Sequence, residues 1–204
     1  LKNVFFETVF RPKECVMKNN LYGEFYLLEA GGALEFLDET KIFLSTGTFR
    51  YRDLAQLKNN IFGKILLIDL SKNSKRVIST GHRNIQGMFY DKEKDILFSI
   101  DHGPQGGDEI NLNFSPLQNE VKNYGWPIAS YGEHYGGKIK KNKKKYEKAP
   151  LLKSHKKYGF IEPHKFFVPS IAPSDILNIP KKFDDNFANN IYVSSLGFKN
   201  DNNR

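Results

Sequence analysis

A repeated pattern is the feature that most restricts how this chain of 204 residues can fold. Three segments share one plan, in which an apolar strand and a polar turn precede a second strand that ends in serine near a glycine. These segments span residues 33–45, 87–99 and 174–195. Ser99 follows Ser45 by 54 residues and Ser194 follows Ser99 by 95 residues. The second interval therefore holds either two repeats or one repeat with an insertion.

Units of roughly 40–55 residues that contain several short strands are typical of β-propellers. A single blade cannot bury both of its faces, so neighbouring blades must stack. Further strand candidates at 23–29, 63–69 and 75–80 lie between the paired strands, and the chain is rich in Phe, Tyr and Gly. The repeat predicts an all-β propeller. An ordinary β-sandwich whose hairpins are similar by chance is the alternative.

Positive charge is concentrated in one short segment. The net charge is +8, and without seven closely spaced lysines it would be +1. These lysines are Lys138, Lys140, Lys141, Lys143, Lys144, Lys145 and Lys148. The run is typical either of a patch that binds anions or nucleic acid or of a solvated loop, and we favour a lysine-rich loop insertion at 137–157. Cys15 is the only cysteine, which excludes an internal disulfide and a cysteine-based metal site.

Residues 101–111 form the densest group of chemically useful side chains. Three glycines and one proline in this segment favour a tight loop that turns backbone carbonyls toward one point. Asp108 and Glu109 follow at once. Carbonyl and carboxylate oxygens are hard ligands that suit calcium better than zinc or copper. The segment is a candidate calcium site, and a polar turn with capping acids is the alternative.

A second polar cluster lies at residues 81–87, immediately before a predicted strand. The Arg83 guanidinium can hold a carboxylate with two parallel hydrogen bonds. Asn84 and Gln86 would point to the same side if the backbone is extended. The cluster could hold a flat, anionic, oxygen-rich ligand, or it could be a surface turn with a structural ion pair. Trp126, the only tryptophan, is more simply read as an aromatic plug beneath a loop.

Five motifs, in the expected order, resemble the pyrroloquinoline quinone (PQQ)-dependent soluble glucose/sorbosone (aldose sugar) dehydrogenases. The resemblance covers about residues 29–197 and is most specific between residues 81 and 132. The motifs are Gly63-Lys-Ile-Leu, Gly81-His-Arg-Asn-x-Gln-Gly87, His102-Gly-Pro-x-Gly-Gly-Asp-Glu-Ile-Asn111, Asn123-Tyr-Gly-Trp-Pro127 and Ser170-Ile-Ala-Pro-Ser174. The resemblance implies a six-bladed propeller. At the observed repeat spacing, 204 residues would hold about four of these blades.

The resemblance also implies a cofactor and its contacts. Arg83, Asn84 and Gln86 would contact PQQ at the mouth of the central channel, and Ser170 keeps a hydroxyl at a further cofactor position. In such enzymes a general base takes the proton of the sugar's anomeric hydroxyl while hydride passes to the quinone.

Calcium is implied at two places. The backbone oxygens of Gly103 and Pro104 would hold the ion that also binds the quinone and polarises it. Asp108 and Glu109 would serve a second, structural calcium cluster nearby.

Two positions depart from the family pattern. Alignment on Gly31 and Gly32 places Glu29 at the family's catalytic histidine. A carboxylate can act as a base, although it is a weaker one unless burial raises its pKa. The family's cofactor-contacting lysine is replaced by Gly197, with Lys199 close by. Two hypotheses follow: a PQQ- and calcium-dependent sugar dehydrogenase that uses Glu29 as base, or a non-catalytic, calcium-stabilised propeller that binds a carbohydrate or a protein partner.

We expect residues 1–204 to be a single propeller fragment that is truncated at both ends. The expected partners are a small sugar substrate and an external electron acceptor, with no nucleic acid and no membrane span. The family implies a periplasmic or secreted location.

Overall fold

The computed structural model describes residues 4–16, 19–20, 23–183, 186–188 and 190–197, and its regular structure is mostly β-strand. The strands are β1 (Asn19–Asn20), β2 (Gly23–Glu24), β3 (Gly31–Phe36), β4 (Lys41–Thr46), β5 (Lys64–Asp69), β6 (Ser74–Thr80), β7 (Ile85–Asp91), β8 (Ile96–Asp101), β9 (Asp108–Phe114), β10 (Lys122–Asn123), β11 (Lys165–Phe167), β12 (Pro173–Asn178) and β13 (Ile191–Ser195). The helices are one α-helix, α1 (Lys143–Lys148), and four 3₁₀ turns at Leu27–Glu29, Arg52–Gln56, Lys140–Asn142 and His155–Tyr158.

Two sheets have the size of a propeller blade. The first has the order β3-β4-β5-β6 with antiparallel pairing, and β10 extends it as a short parallel strand beside β6. The second has the order β7-β8-β9-β11 and is antiparallel throughout. β12 and β13 form a third, two-stranded sheet, and β1 pairs with β2.

The first strands of the three successive sheets lie side by side, because β7 contacts both β3 and β12. An apolar core fills the space between the first two sheets. Its buried members are Phe43, Ile65, Ile78, Ile85, Met88, Tyr90 and Leu97. Stacked sheets whose first strands adjoin are the arrangement of propeller blades, which confirms the predicted fold class.

The repeated serine has a structural role in the first sheet. Ser45 is buried, and its Oγ accepts hydrogen bonds from the backbone N–H groups of Gly32 and Ala33. The same hydroxyl donates to the Ile85 carbonyl oxygen at 3.2 Å. Ser45 therefore fixes the start of β3 and joins β4 to β7 of the next sheet.

The long second interval of the repeat is one repeat with an insertion. Ser45, Ser99 and Ser194 lie in the second strands of three consecutive sheets. Residues 124–164 intervene between β10 and β11, and this segment contains only turns, short helices and isolated bridges. The described residues thus contain two blade-sized sheets and two further strand pairs, β1-β2 and β12-β13.

His134 anchors this insertion to the first sheet. Its Nδ1 lies 2.6 Å from Nη1 of Arg52, and its Nε2 lies 2.8 Å from the carbonyl oxygen of Ala149, directly after α1. Arginine can only donate, so Nδ1 accepts and Nε2–H donates, which is the arrangement of a neutral imidazole. Burial lowers the pKa of His134 to about 4, and the nearby positive charge of Arg52 acts in the same direction.

This histidine should make stability depend on pH. In the unfolded chain the ring takes up a proton near its ordinary pKa of 6.5, whereas the folded state excludes that proton until about pH 4. The stability that neutral His134 contributes is therefore present above pH 6.5 and is lost as the pH falls toward 4. We expect the thermal unfolding midpoint of His134→Gln to fall less steeply over this window than that of the parent. The control is His164→Gln, at an exposed histidine, which should follow the parent. Parallel curves of unfolding midpoint against pH for the parent and His134→Gln would contradict this account.

No helix within the described residues has both the length and the apolar character needed to cross a membrane.

Candidate functional site

The centre of the site is a buried ion pair between Glu29 and Arg83. Nη2 of Arg83 donates to Oε1 of Glu29 at 2.7 Å, and both side chains are almost fully enclosed. Nη1 of Arg83 donates to the His102 carbonyl oxygen at 3.0 Å. The guanidinium also lies over the ring of Trp126, with Cζ 5.6 Å from the ring centroid, which is within cation–π range. Arg83 therefore joins the predicted base to the loop that carries the predicted calcium ligands.

The local backbone holds Glu29 in place from two sides. Glu29 ends the 3₁₀ turn Leu27–Glu29, and its Oε2 accepts hydrogen bonds from Oγ1 of Thr48 at 3.1 Å and from the Arg50 N–H at 3.2 Å. A Cβ at Gly47 would lie 1.9 Å from the Glu29 carbonyl oxygen, so only glycine fits there. The carboxylate thus accepts three hydrogen bonds at one fixed position.

Asp101 organises the backbone of the Arg83 cluster. Its Oδ2 accepts from the Arg83 N–H at 2.9 Å, and its Oδ1 accepts from the Asn84 N–H at 2.6 Å. Oδ1 of Asn84 in turn accepts from the Gly31 N–H and from Nε2 of Gln86, both at 3.0 Å. The three residues predicted to contact the cofactor are therefore held together at the start of β7, beside the turn that carries Glu29.

Asp108 ties the calcium loop to the segment around Ser170. Its Oδ1 accepts from the Gly103 N–H at 3.0 Å, and its Oδ2 accepts from the N–H groups of Ile171 and Ala172, each at 2.9 Å. The Ser170 hydroxyl donates to the same Oδ2. Four hydrogen bonds to one buried carboxylate fix the loop of residues 103–108 against the loop that precedes β12.

Glu109 lies apart from this network. Consecutive residues of a strand point to opposite faces of the sheet, and Asp108 and Glu109 are the first two residues of β9. The Glu109 carboxylate lies 3.3 Å from Nε2 of His155 and accepts from Nδ2 of Asn111 at 3.2 Å, and burial raises its pKa. The structure does not bring Asp108 and Glu109 into one ligand set. No group of three or more acidic, histidine or cysteine side chains that could hold a metal occurs among the described residues. Their calcium role stays a prediction.

Two features around the loop bear on the predicted ligands. Neither the Gly103 nor the Pro104 carbonyl oxygen accepts a hydrogen bond from a described residue, so both are free to bind a hard cation. Nε of Arg83 and Nε1 of Trp126 are buried donors that find no acceptor among the described residues, which is uncommon in a folded protein. Both residues line a small cavity of about 10 Å³ that also borders Asp101, His102 and Gly103, with room for about one water molecule.

Gly197 adjoins the same site. Its N–H donates to the Ile171 carbonyl oxygen at 3.2 Å, next to Ser170. A Cβ at Gly197 would meet nothing within 4 Å, although its φ of +79° favours glycine. Lys199 lies outside the described residues.

Three residues of the site had no role in the sequence prediction. Asp101 stands at the head of the quoted calcium segment, so its position was available, but nothing in the pattern showed that it would bind the backbone of Arg83 and Asn84. Thr48 lies two residues beyond the end of β4 and contacts Glu29, and no sequence motif marks it. His82 is fully buried, with Nε2 2.7 Å from Oγ of Ser79 and its ring stacked on Tyr124. Trp126 is buried against Ala55 and Leu151, which confirms its interpretation as an aromatic plug.

Comparison with known proteins agrees with this geometry. The family model described as Glucose / Sorbosone dehydrogenase matches residues 26–201. The aldose sugar dehydrogenase YliI of Escherichia coli K12 is 32% identical over 145 residues, which are 65% of this chain and 36% of that protein.

Solved structures show the same relationship. The soluble aldose sugar dehydrogenase of Escherichia coli, in its apo form, superposes with a TM-score of 0.63 at 27% identity over 81% of this chain and 48% of its own. The PQQ-bound aldose sugar dehydrogenase of Streptomyces coelicolor does so with a TM-score of 0.52 at 26% identity over 74% and 40%. The chain thus spans about half or less of the length of these relatives. With its propeller sheets and its match from residue 26 to residue 201, the chain belongs to the glucose/sorbosone dehydrogenase family.

Proposed function

We propose that the full-length protein is a PQQ- and calcium-dependent aldose dehydrogenase that oxidises the anomeric carbon of a sugar. The observation that carries the proposal is the continuous network from Glu29 through Arg83 and His102 to Gly103 and Asp108. The proximity of a carboxylate, a guanidinium and the loop that carries the Gly103 and Pro104 carbonyl oxygens supports the proposal. An external electron acceptor and a periplasmic or secreted location are parts of the same proposal.

Each residue has a defined task in this site. Arg83, Asn84 and Gln86 would bind and orient PQQ, which when bound supplies a two-electron acceptor for hydride. The carbonyl oxygens of Gly103 and Pro104 would hold the calcium ion that polarises it. Glu29 would take the proton of the anomeric hydroxyl, because its carboxylate is the acceptor group that the backbone fixes beside Arg83.

The buried ion pair also supports the second candidate function. The shortest hydrogen bond of the Arg83 side chain goes to Glu29, as in a structural ion pair. In that case the full-length protein is a non-catalytic propeller that uses calcium for stability and binds a carbohydrate or a protein partner.

Turnover separates the two functions. The full-length protein, reconstituted with calcium and PQQ, should oxidise an aldose in the presence of an artificial electron acceptor. Omission of either calcium or PQQ should abolish the reaction. A folded protein that turns over no aldose under these conditions would exclude the dehydrogenase and leave the binding propeller.

A further inference from the structure

The inserted lysines form an exposed surface with unbalanced charge. We call Lys138, Lys140, Lys141, Lys143, Lys144, Lys145 and Lys148 the basic face. All are exposed except Lys145, which is half-buried. None of the seven has a described carboxylate within ion-pair distance, since the ion pairs of the described residues involve other side chains.

The positive field extends beyond the insertion. Burial lowers the pKa of Lys145, and the positive charges of Arg52, Lys141 and Arg50 lower it further. Arg50 and Arg52 belong to the segment that follows β4, and the Arg50 N–H binds Glu29. Arg52 is buried against His134 of the insertion, so this segment and the insertion pack against each other.

Apolar side chains are exposed among these charges. Ile139 is 52% exposed and Tyr135 is 61% exposed. Ile139 lines an open groove of about 540 Å³ together with Lys138, Lys140 and Lys143. An apolar side chain exposed in a groove that lysines line gives a protein partner an apolar contact inside a charged rim.

The basic face is continuous with the predicted cofactor site. Gly137, adjacent to Lys138, lines a second groove of about 770 Å³ that reaches Pro104 and Ser170. Gln105 of the calcium loop forms a β-bridge with Glu133, and its Oε1 accepts from the Gly136 N–H at 3.1 Å. The insertion is thus joined directly to the loop that carries Gly103 and Pro104.

We propose that the basic face, with Ile139 exposed in its groove, docks an acidic electron-carrier protein that accepts the electrons released at the site. This inference rests on the proposed function. Oxidation of one aldose to its lactone releases two electrons and two protons, so two molecules of an oxidised one-electron carrier are reduced for each sugar and the protons pass to solvent. Charge complementarity raises the rate of encounter, and electron-transfer complexes bury little surface, which suits a small insertion.

The test compares acceptors of different charge on the reconstituted full-length protein. Acidic plastocyanin, basic cytochrome c and uncharged benzoquinone serve as acceptors. We expect plastocyanin to be reduced faster than cytochrome c, and its kcat/KM to fall by about tenfold or more as salt rises from low to physiological strength. Benzoquinone reduction should not depend on salt.

Two sets of variants locate the surface. The triple variant Lys138→Glu, Lys140→Glu, Lys143→Glu should lower kcat/KM for plastocyanin by about 10- to 100-fold while turnover with benzoquinone is unchanged. Ile139→Ser should lower kcat/KM for plastocyanin without changing how that kcat/KM depends on salt. Lys13→Glu, Lys58→Glu, Lys92→Glu is the matched control, because these exposed lysines lie on other loops.

The outcomes separate this inference from the proposed function. Absence of turnover with benzoquinone in the parent would refute the dehydrogenase itself. Normal benzoquinone turnover together with unchanged plastocyanin reduction in the triple variant would overturn the docking surface alone. Preference for cytochrome c would overturn it as well, because a basic face repels a basic carrier.

Discussion

Replacement of Glu29 by glutamine in the full-length protein is expected to lower kcat for aldose oxidation by about 100- to 10,000-fold, the range that a positioned general base contributes. Glutamine cannot take up the hydroxyl proton, but its amide oxygen can still accept from Nη2 of Arg83. The guanidinium loses its compensating charge, so some stability is lost as well. PQQ binding should persist, because an anionic ligand supplies the missing charge.

Glu35→Gln is the matched control. Glu35 is a half-buried glutamate in β3, away from the Arg83 cluster, and its Oε1 accepts from the Tyr90 N–H at 2.9 Å. This variant should turn over at the parent rate. Steady-state kinetics, PQQ titration and thermal unfolding of both variants complete the test. An unchanged kcat in Glu29→Gln would remove Glu29 as the base and leave it as the structural partner of Arg83.

Replacement of Asp108 by alanine should destabilise the protein by about 3–5 kcal/mol, because each buried donor that loses its acceptor costs about 1–3 kcal/mol and some donors can find water. The variant removes the acceptor of the Gly103, Ile171 and Ala172 N–H groups and of the Ser170 hydroxyl. Calcium affinity should fall too. The hydrogen bond from the Gly103 N–H to Asp108 holds Gly103 in place, and with it the carbonyl oxygen that is predicted to bind calcium.

Asp91→Ala distinguishes this effect from loss of any turn-capping aspartate. Asp91 ends β7, and its carboxylate accepts from the N–H and the ammonium group of Lys94 near the surface. Asp91→Ala should lower the free energy of unfolding much less than Asp108→Ala does, and it should leave calcium affinity unchanged. Chemical denaturation and calcium titration measure both quantities. Equal destabilisation by the two variants, with calcium affinity retained in Asp108→Ala, would contradict the bridging role of Asp108.

The sequence was sufficient for the architecture because the repeat reflects a physical requirement. Each strand pair must bury its face against the next, so apolar residues and turn aspartates recur with the blades. Asp38, Asp69 and Asp91 each accept backbone N–H groups at a hairpin turn.

The site was predictable only in part. Motif order singled out Arg83, Asn84 and Gly103 as candidates, because local loops carry them, and their cofactor roles stay a prediction. The pairing of Arg83 with Glu29 spans 54 residues of sequence and depends on how β3 and β7 adjoin. Asp108 and Glu109 are adjacent in sequence and point to opposite faces of β9, and their shared calcium role stays a prediction.

Calcium-dependent binding of PQQ to the full-length protein tests most directly the claim that the Arg83 cluster and the free loop carbonyls form one cofactor site. The absorbance or fluorescence change of PQQ can be titrated with and without calcium, on the parent and on Arg83→Ala. We predict one PQQ per protein with calcium present, weaker binding by about tenfold or more after chelation, and a similar loss in Arg83→Ala. PQQ binding that depends on neither calcium nor Arg83 would contradict the account. So would the absence of PQQ binding by the folded parent.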